Sequence, residues 1–80
     1  MATQQILSPL PGTFYRSPSP EKPPFKADGD PVAKGEVIGL IEVMKTFYEV
    51  KSEVAGKIVR FLAANEDPVQ AGQPLADVEG

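Results

Sequence analysis

Residues 36–54 read EVIGLIEVMKTFYEVKSEV, β-prone throughout and with no Gly, Pro, Asn or Asp at the centre. Strands of globular proteins usually span 3–10 residues, so a run of this length must fold back on itself. Setting Met44 and Lys45 as the two central residues of a turn pairs Val43 with Thr46, Ile41 with Tyr48, Gly39 with Val50 and Val37 with Ser52. That face is mostly apolar. The opposite face gathers Glu36, Glu42, Phe47, Glu49 and Lys51, with Leu40 and Ile38 as exceptions that imply a bulge or burial on both sides.

A two-residue hairpin loop normally requires positive φ, which Gly, Asn and Asp adopt at low cost and Met and Lys do not. Strained backbone persists mainly where function requires it. A lysine at the apex of such a turn holds its amine out in solvent, where another protein can reach it. From spacing alone, an ordinary solvated lysine is the commoner reading.

Outward from this segment the chain is punctuated by nine prolines and seven glycines, which leave little room for a helical stripe. The remaining β-type runs are Gly12–Tyr15, Val37–Val43, Thr46–Val54, Lys57–Leu62 and Leu75–Val78. Such spacing predicts an all-β sandwich or barrel.

An internal repeat sharpens that expectation. Asp30-Pro31-Val32-Ala33-Lys34-Gly35-Glu36 returns 37 residues later as Asp67-Pro68-Val69-Gln70-Ala71-Gly72-Gln73, and Ile38, Ile41 and Glu42 fall on Leu75, Val78 and Glu79. Upstream, Ser8-Pro9-Leu10-Pro11-Gly12 resembles Ser52-Glu53-Val54-Ala55-Gly56. Two similar halves imply pseudo-twofold symmetry. The first half is longer by seven residues: Ser8 to Asp30 is a step of 22, and Ser52 to Asp67 a step of 15. The surplus lies in residues 16–24, Arg-Ser-Pro-Ser-Pro-Glu-Lys-Pro-Pro. Its four prolines fix φ and remove four N–H donors, so it cannot be a central strand. It reads as a stiff protrusion or as a tolerated surface loop.

Composition removes several classes of function. Eighty residues make one thin domain, 1–80, with no room for a deep substrate cavity and its walls. The chain has no cysteine and no histidine, which excludes thiol nucleophiles, disulfides, most zinc sites and the commonest general base. Its net charge is −3 and its eight Lys and Arg are scattered, so nucleic-acid binding is not expected. No apolar run approaches the ~20 residues that span a bilayer, and Met1-Ala2-Thr3-Gln4-Gln5 lacks the basic and apolar parts of a secretory signal. A reducing, cytoplasmic setting fits. Glu36, Glu42, Glu49 and Glu53 could in principle supply paired carboxylates for catalysis, but on an exposed hairpin they read as solvating charges.

The stretch Gly35–Ser52, centred on Glu42-Val43-Met44-Lys45-Thr46, resembles the biotin-attachment signature of biotin-dependent carboxylases. Gly12-Thr13-Phe14-Tyr15-Arg16 and Ser17-Pro18-Ser19-Pro20 are further similar to the biotin carboxyl carrier family of acetyl-CoA carboxylase, and the resemblance runs from Ser8 to Glu79. It implies a flattened barrel, or barrel-sandwich hybrid, of two four-stranded antiparallel sheets. It implies covalent biotin on Lys45, attached by a biotin protein ligase. The domain itself would catalyse nothing, but would ferry carboxybiotin from a biotin carboxylase to a carboxyltransferase, with acetyl-CoA as the expected acceptor and fatty acid synthesis as the setting. Residues 16–24 match the family's thumb, which lies over biotin, and Ser17, Pro18, Ser19 and Pro20 would be its contact residues.

Two departures from the family stand out. Thr46 occupies a position where the family usually has Met, which keeps the attachment pattern but reduces the apolar shelf beside biotin. The run before Ser8 is short, consistent with an excised domain or a minimal carrier. A lipoyl carrier, whose lysine typically follows Asp, and an unmodified β-barrel used as an interaction module are the alternatives left open by the residues.

Overall fold

The computed structural model describes residues 3–80; Met1 and Ala2, which the expected domain span includes, lie outside the described residues. Eight strands follow in order: β1 (Thr3–Leu7), β2 (Gly12–Tyr15), β3 (Pro31–Val32), β4 (Val37–Val43), β5 (Thr46–Lys51), β6 (Gly56–Phe61), β7 (Asp67–Val69) and β8 (Pro74–Glu79). One sheet has the order β1-β8-β6-β3 and the other β5-β4-β2-β7, and every strand pairing within each sheet is antiparallel. The extents, 38 × 27 × 19 Å, are those of a flattened sandwich.

The sheet orders carry the repeat. Advancing each strand of one sheet by half the chain gives the other: β1 becomes β5, β8 becomes β4, β6 becomes β2 and β3 becomes β7. Hydrogen bonds repeat with the strands. Ser8 Oγ donates to the Leu10 carbonyl and Ser52 Oγ to the Val54 carbonyl, both at 2.6 Å. Gly29 N donates to Ile58 O, and its counterpart Glu66 N to Phe14 O. Each half thus solves the same folding problem with matching local chemistry.

The core lies between the sheets, with Phe14, Ile38, Ile41, Ile58, Leu75 and Val78 essentially fully buried. These are large and mostly β-branched side chains, suited to a pleated, close-packed interior. Two of them owe their burial to bulges. The pairing of β4 with β5 passes from Val37↔Lys51 to Gly39↔Val50, so Ile38 is the extra residue. The pairing of β1 with β8 passes from Ile6↔Ala76 to Leu7↔Pro74, which makes Leu75 the extra one.

The expected hairpin register holds from Val43↔Thr46 through Gly39↔Val50, but Val37 pairs with Lys51 rather than Ser52. The bulge inserts one residue, Ile38, which is one of the two apolar exceptions on the outer face; the other, Leu40, stays in register opposite Glu49. The expected strand over Thr46–Val54 stops at Lys51, because Ser52 turns inward and closes its own loop. Strands β1, β3 and β7 lie outside the runs expected from the sequence.

Candidate functional site: the Met44-Lys45 hairpin and the proline loop

Among the described residues β4 and β5 form the longest pairing, and they are joined by Met44 and Lys45 alone. Both have positive φ, 50° and 68°, as a type I′ turn requires and as L side chains seldom adopt. Met44 is 92% exposed and Lys45 is exposed, as are Thr46 and Phe47. Among the described residues no carboxylate lies within ion-pair distance of Lys45 Nζ. The result is a primary amine at an apex, accessible and unencumbered.

The hairpin's outer face is tied to β2. Tyr15 Oη donates to Glu42 Oε1 at 2.9 Å, and the Tyr15 ring packs on Phe47 with centroids 5.9 Å apart. The neighbouring Glu42 carboxylate holds the Tyr15 phenol above its ordinary pKa, first by accepting its proton in that hydrogen bond, then through partial desolvation and charge repulsion. Val43 packs partly against the core. Glu42 and Val43 therefore brace the tip, whereas Met44 and Lys45 are presented by it. Spacing along the chain does not reveal the role of Tyr15, because nothing in β2 itself marks its partner strand; in the structure Thr13 faces Glu42 and Tyr15 faces Leu40.

Residues 16–24 form a loop with no strand pairing. It is closed by Phe25 N donating to Arg16 O at 2.8 Å, and within it Lys22 N and Ser17 Oγ both donate to the Ser19 carbonyl. Pro18 and Pro20 are exposed, and Ser17 and Ser19 half-buried. Ser17 Oγ is thus engaged within the loop. Arg16 anchors the outgoing leg: its guanidinium lies 4.1 Å from the Phe61 ring centroid, and its backbone N donates to Asn65 Oδ1. The loop springs from a level five residues below Lys45 on β4, ~16 Å along the strand. Its own reach, about half its length at polyproline rise, is ~12 Å.

Among the described residues no group of three or more His, Cys, Asp or Glu side chains is placed to hold a metal ion, and no helix is long and apolar enough to cross a membrane.

A sandwich with two equivalent halves and a lysine at the apex of one hairpin defines a class of domain. The family of biotin and lipoyl domains described as "Biotin-requiring enzyme" matches residues 4–78, and the chain belongs to that family. It is 49% identical over 70 residues to the biotin carboxyl carrier protein of acetyl-CoA carboxylase from Chlamydia trachomatis, an alignment covering 88% of this chain and 43% of that one. It is 47% identical over 70 residues to the chloroplastic biotin carboxyl carrier protein 2 of acetyl-CoA carboxylase from Arabidopsis thaliana, covering 88% of this chain and 28% of that one. The chain therefore spans less than half the length of these relatives. In the crystal structure of the Kluyveromyces lactis urea carboxylase, a region making up 6% of that chain matches 99% of this one with a TM-score of 0.80 at 30% identity.

Proposed function

We propose that this domain is a biotin carrier whose Lys45 Nζ is the attachment point, and that it serves an acetyl-CoA carboxylase. The observation that carries the reading is the strained Met44-Lys45 turn: two residues ill-suited to positive φ hold an exposed amine at the tip of the β4–β5 hairpin. Names of relatives, each a biotin carboxyl carrier protein, supply the cofactor and the reaction. The residues fit the group: attachment needs a reachable primary amine, and the tip offers one with no competing carboxylate within ion-pair distance among the described residues.

Attachment requires a biotin protein ligase. The Lys45 amine would attack the carbonyl of biotin activated as its adenylate; an amide bond would form, AMP would leave, and the nitrogen would shed one proton to the ligase or to solvent. No residue beside the tip can act as the base: Glu42 accepts from Tyr15, and a carboxylate would in any case favour the ammonium. Once bound, biotin would supply a ureido nitrogen able to carry a carboxyl group between a biotin carboxylase and a carboxyltransferase. The domain's own part is geometric. Glu42, Tyr15 and Phe47 hold the hairpin rigid, so the mobile portion is limited to the lysine arm. Tethering supplies an effective concentration of order millimolar at whichever site the arm can reach.

In this reading residues 16–24 act as a thumb over biotin. The loop's ~12 Å reach and its ~16 Å separation from the tip are of one order, and the root is joined to the hairpin by the Tyr15–Phe47 stack. Ser17, Pro18, Ser19 and Pro20 are the residues offered to the ring. The cytoplasm, which supplies ATP and bicarbonate, goes with the reading.

Intact mass after co-expression with a biotin ligase tests it. Wild type gains one biotin increment and Lys45→Arg gains none. An increment on Lys45→Arg, a lipoyl increment on the wild type, or no adduct at all would each refute the assignment.

A further inference from the structure

The two halves act as controls for one another, and they differ at the base of the proline loop. In the turn between β3 and β4, Glu36 Oε1 accepts the Ala33 amide at 2.9 Å. In the matching turn between β7 and β8, Gln73 Oε1 accepts the Gln70 amide at 3.0 Å. A neutral side chain therefore satisfies the turn, and the charge at position 36 answers to something the second half lacks. That feature is Lys26, whose Nζ lies 2.7 Å from Glu36 Oε2 and whose side chain is only 15% exposed. An ammonium so far withdrawn from water needs a paired anion.

Lys26 stands on the return leg of the loop, next to Phe25, whose amide closes the loop on Arg16. Arg16 on the outgoing leg donates through Nη2 to the Lys26 carbonyl at 3.4 Å. The legs are thus tied to each other, and the return leg is tied to Glu36, the residue immediately before β4. Prolines make the loop stiff along its length. A stiff loop held at its base keeps one direction; released there, it swings as a unit.

We propose that Lys26 and Glu36 form a positioning clamp that fixes the proline loop relative to the lysine-bearing hairpin, making the loop a set arm rather than a free flap. The clamp's use, holding the thumb residues where biotin on Lys45 meets them, rests on the function proposed above. Its existence can be read without biotin.

The test uses the full chain, before and after ligase-catalysed biotinylation. Glu36→Gln keeps the turn acceptor, as Gln73 does, and removes the charge; Lys26→Met keeps the aliphatic stem; Lys26→Arg keeps the pair. In the two pair-breaking variants, ¹⁵N order parameters of the Ser19, Glu21 and Lys22 amides fall. Cleavage after Glu21 by a glutamate-specific protease rises about fivefold, the scale of a single part-exposed ion pair. Order at Val43 and Thr46 is unchanged, and Lys26→Arg behaves as wild type. On biotinylation the loop resonances shift in wild type and shift less in Glu36→Gln. Equal loop order and equal cleavage in wild type and both pair-breaking variants overturn the clamp. Loop resonances indifferent to biotinylation of wild type overturn its use. A wild-type chain that gains no biotin mass refutes the attachment reading alone, and the unmodified-state measurements still decide the clamp.

Discussion

At the scale of single residues, the tip carries the clearest conflict between local preference and observed conformation. Left-handed φ at a non-glycine residue costs roughly 1–2 kcal/mol, and Met44 and Lys45 both adopt it. Asn tolerates this region and favours the first position of a type I′ turn. Met44→Asn is therefore expected to stabilise the domain by about 1 kcal/mol, which for 80 residues raises the thermal midpoint by roughly 4–8 °C. The same change slows ligase-catalysed adduct formation, since it deletes the apolar side chain displayed beside the amine. Thermal unfolding and timed mass spectrometry check the two halves of this prediction. A stabilised variant modified at the wild-type rate would show that Met44 is kept for some other reason.

Glycine 12 poses the opposite case, in which small size rather than backbone freedom is required. A Cβ at Gly12 would run into the Glu42 carbonyl oxygen and lie 2.8 Å from Ile41 Cγ2; at the equivalent Gly56 it would meet the Glu79 carbonyl. Both obstacles are on a neighbouring strand and cannot swing aside. Gly12→Ala and Gly56→Ala should each cost roughly 2–3 kcal/mol through overpacking and strand displacement, read as a drop in urea midpoint. Gly12→Ala should also disturb the Tyr15–Glu42 contact, because it pushes on β4 at Glu42.

Between residue and fold stands the element, and here the Lys26–Glu36 pair yields a pH dependence. Glu36 lies below its ordinary carboxylate pKa of 4.5, first through its bond from Lys26 and then through the Ala33 amide, against a smaller opposing effect of desolvation. A carboxyl depressed in the folded state contributes stability that is present above its unfolded pKa and is lost as pH falls through the folded value. Wild type should therefore lose stability on acidification below about pH 4.5 more steeply than Glu36→Gln. Urea midpoints between pH 6 and pH 3 would show the two curves converging, and parallel curves would rule the contribution out.

The same scale shows what the sequence disclosed and what it hid. The hairpin was legible because a β-prone run too long for one strand offers few places to turn, and the alternation fixed the register from the tip inward to Gly39↔Val50. Beyond that point Ile38 broke the alternation, and the bulge it marked could not be counted from one strand alone. β3 and β7 leave no strand signal although the repeat contains their residues, because strands of two and three residues containing proline carry no alternation. β1, with Ile6 as its one buried side chain, is a mostly polar edge strand whose pattern is faint. The place of Lys45 at the hairpin's turn was legible from the register of the strands on either side of it. The Tyr15 brace and the Lys26–Glu36 pair depend on which strands lie side by side; only the Glu36-to-Gln73 exchange within the repeat hinted at the second.

For the whole molecule, the pseudo-twofold separates what the sandwich needs from what has been added to it. The passage from Ile58 to Asp67 crosses between the same two kinds of strand as the passage from Phe14 to Asp30, with seven residues fewer. Removing Ser17–Pro23 would give the first half the length the second already uses. The hydrogen bonds lost within the cut, from Ser17 Oγ and Lys22 N to the Ser19 carbonyl, belong to the loop alone. Arg16 keeps Asn65 and Phe61, and Lys26 keeps Glu36. Loop length enters stability only logarithmically, at about 0.6 kcal/mol per doubling, so the shortened chain should lie within about 1 kcal/mol of wild type. A domain of this size has roughly 4–12 kcal/mol in hand and should stay folded, with dispersed amide resonances and the Tyr15–Phe47 contact intact. Its lysine should still accept biotin, while the resonance shifts that biotinylation produces near Ser17 and Ser19 disappear with the residues that report them. If the shortened chain unfolded, the loop would be part of the scaffold, and the division between sandwich and thumb would have to be abandoned.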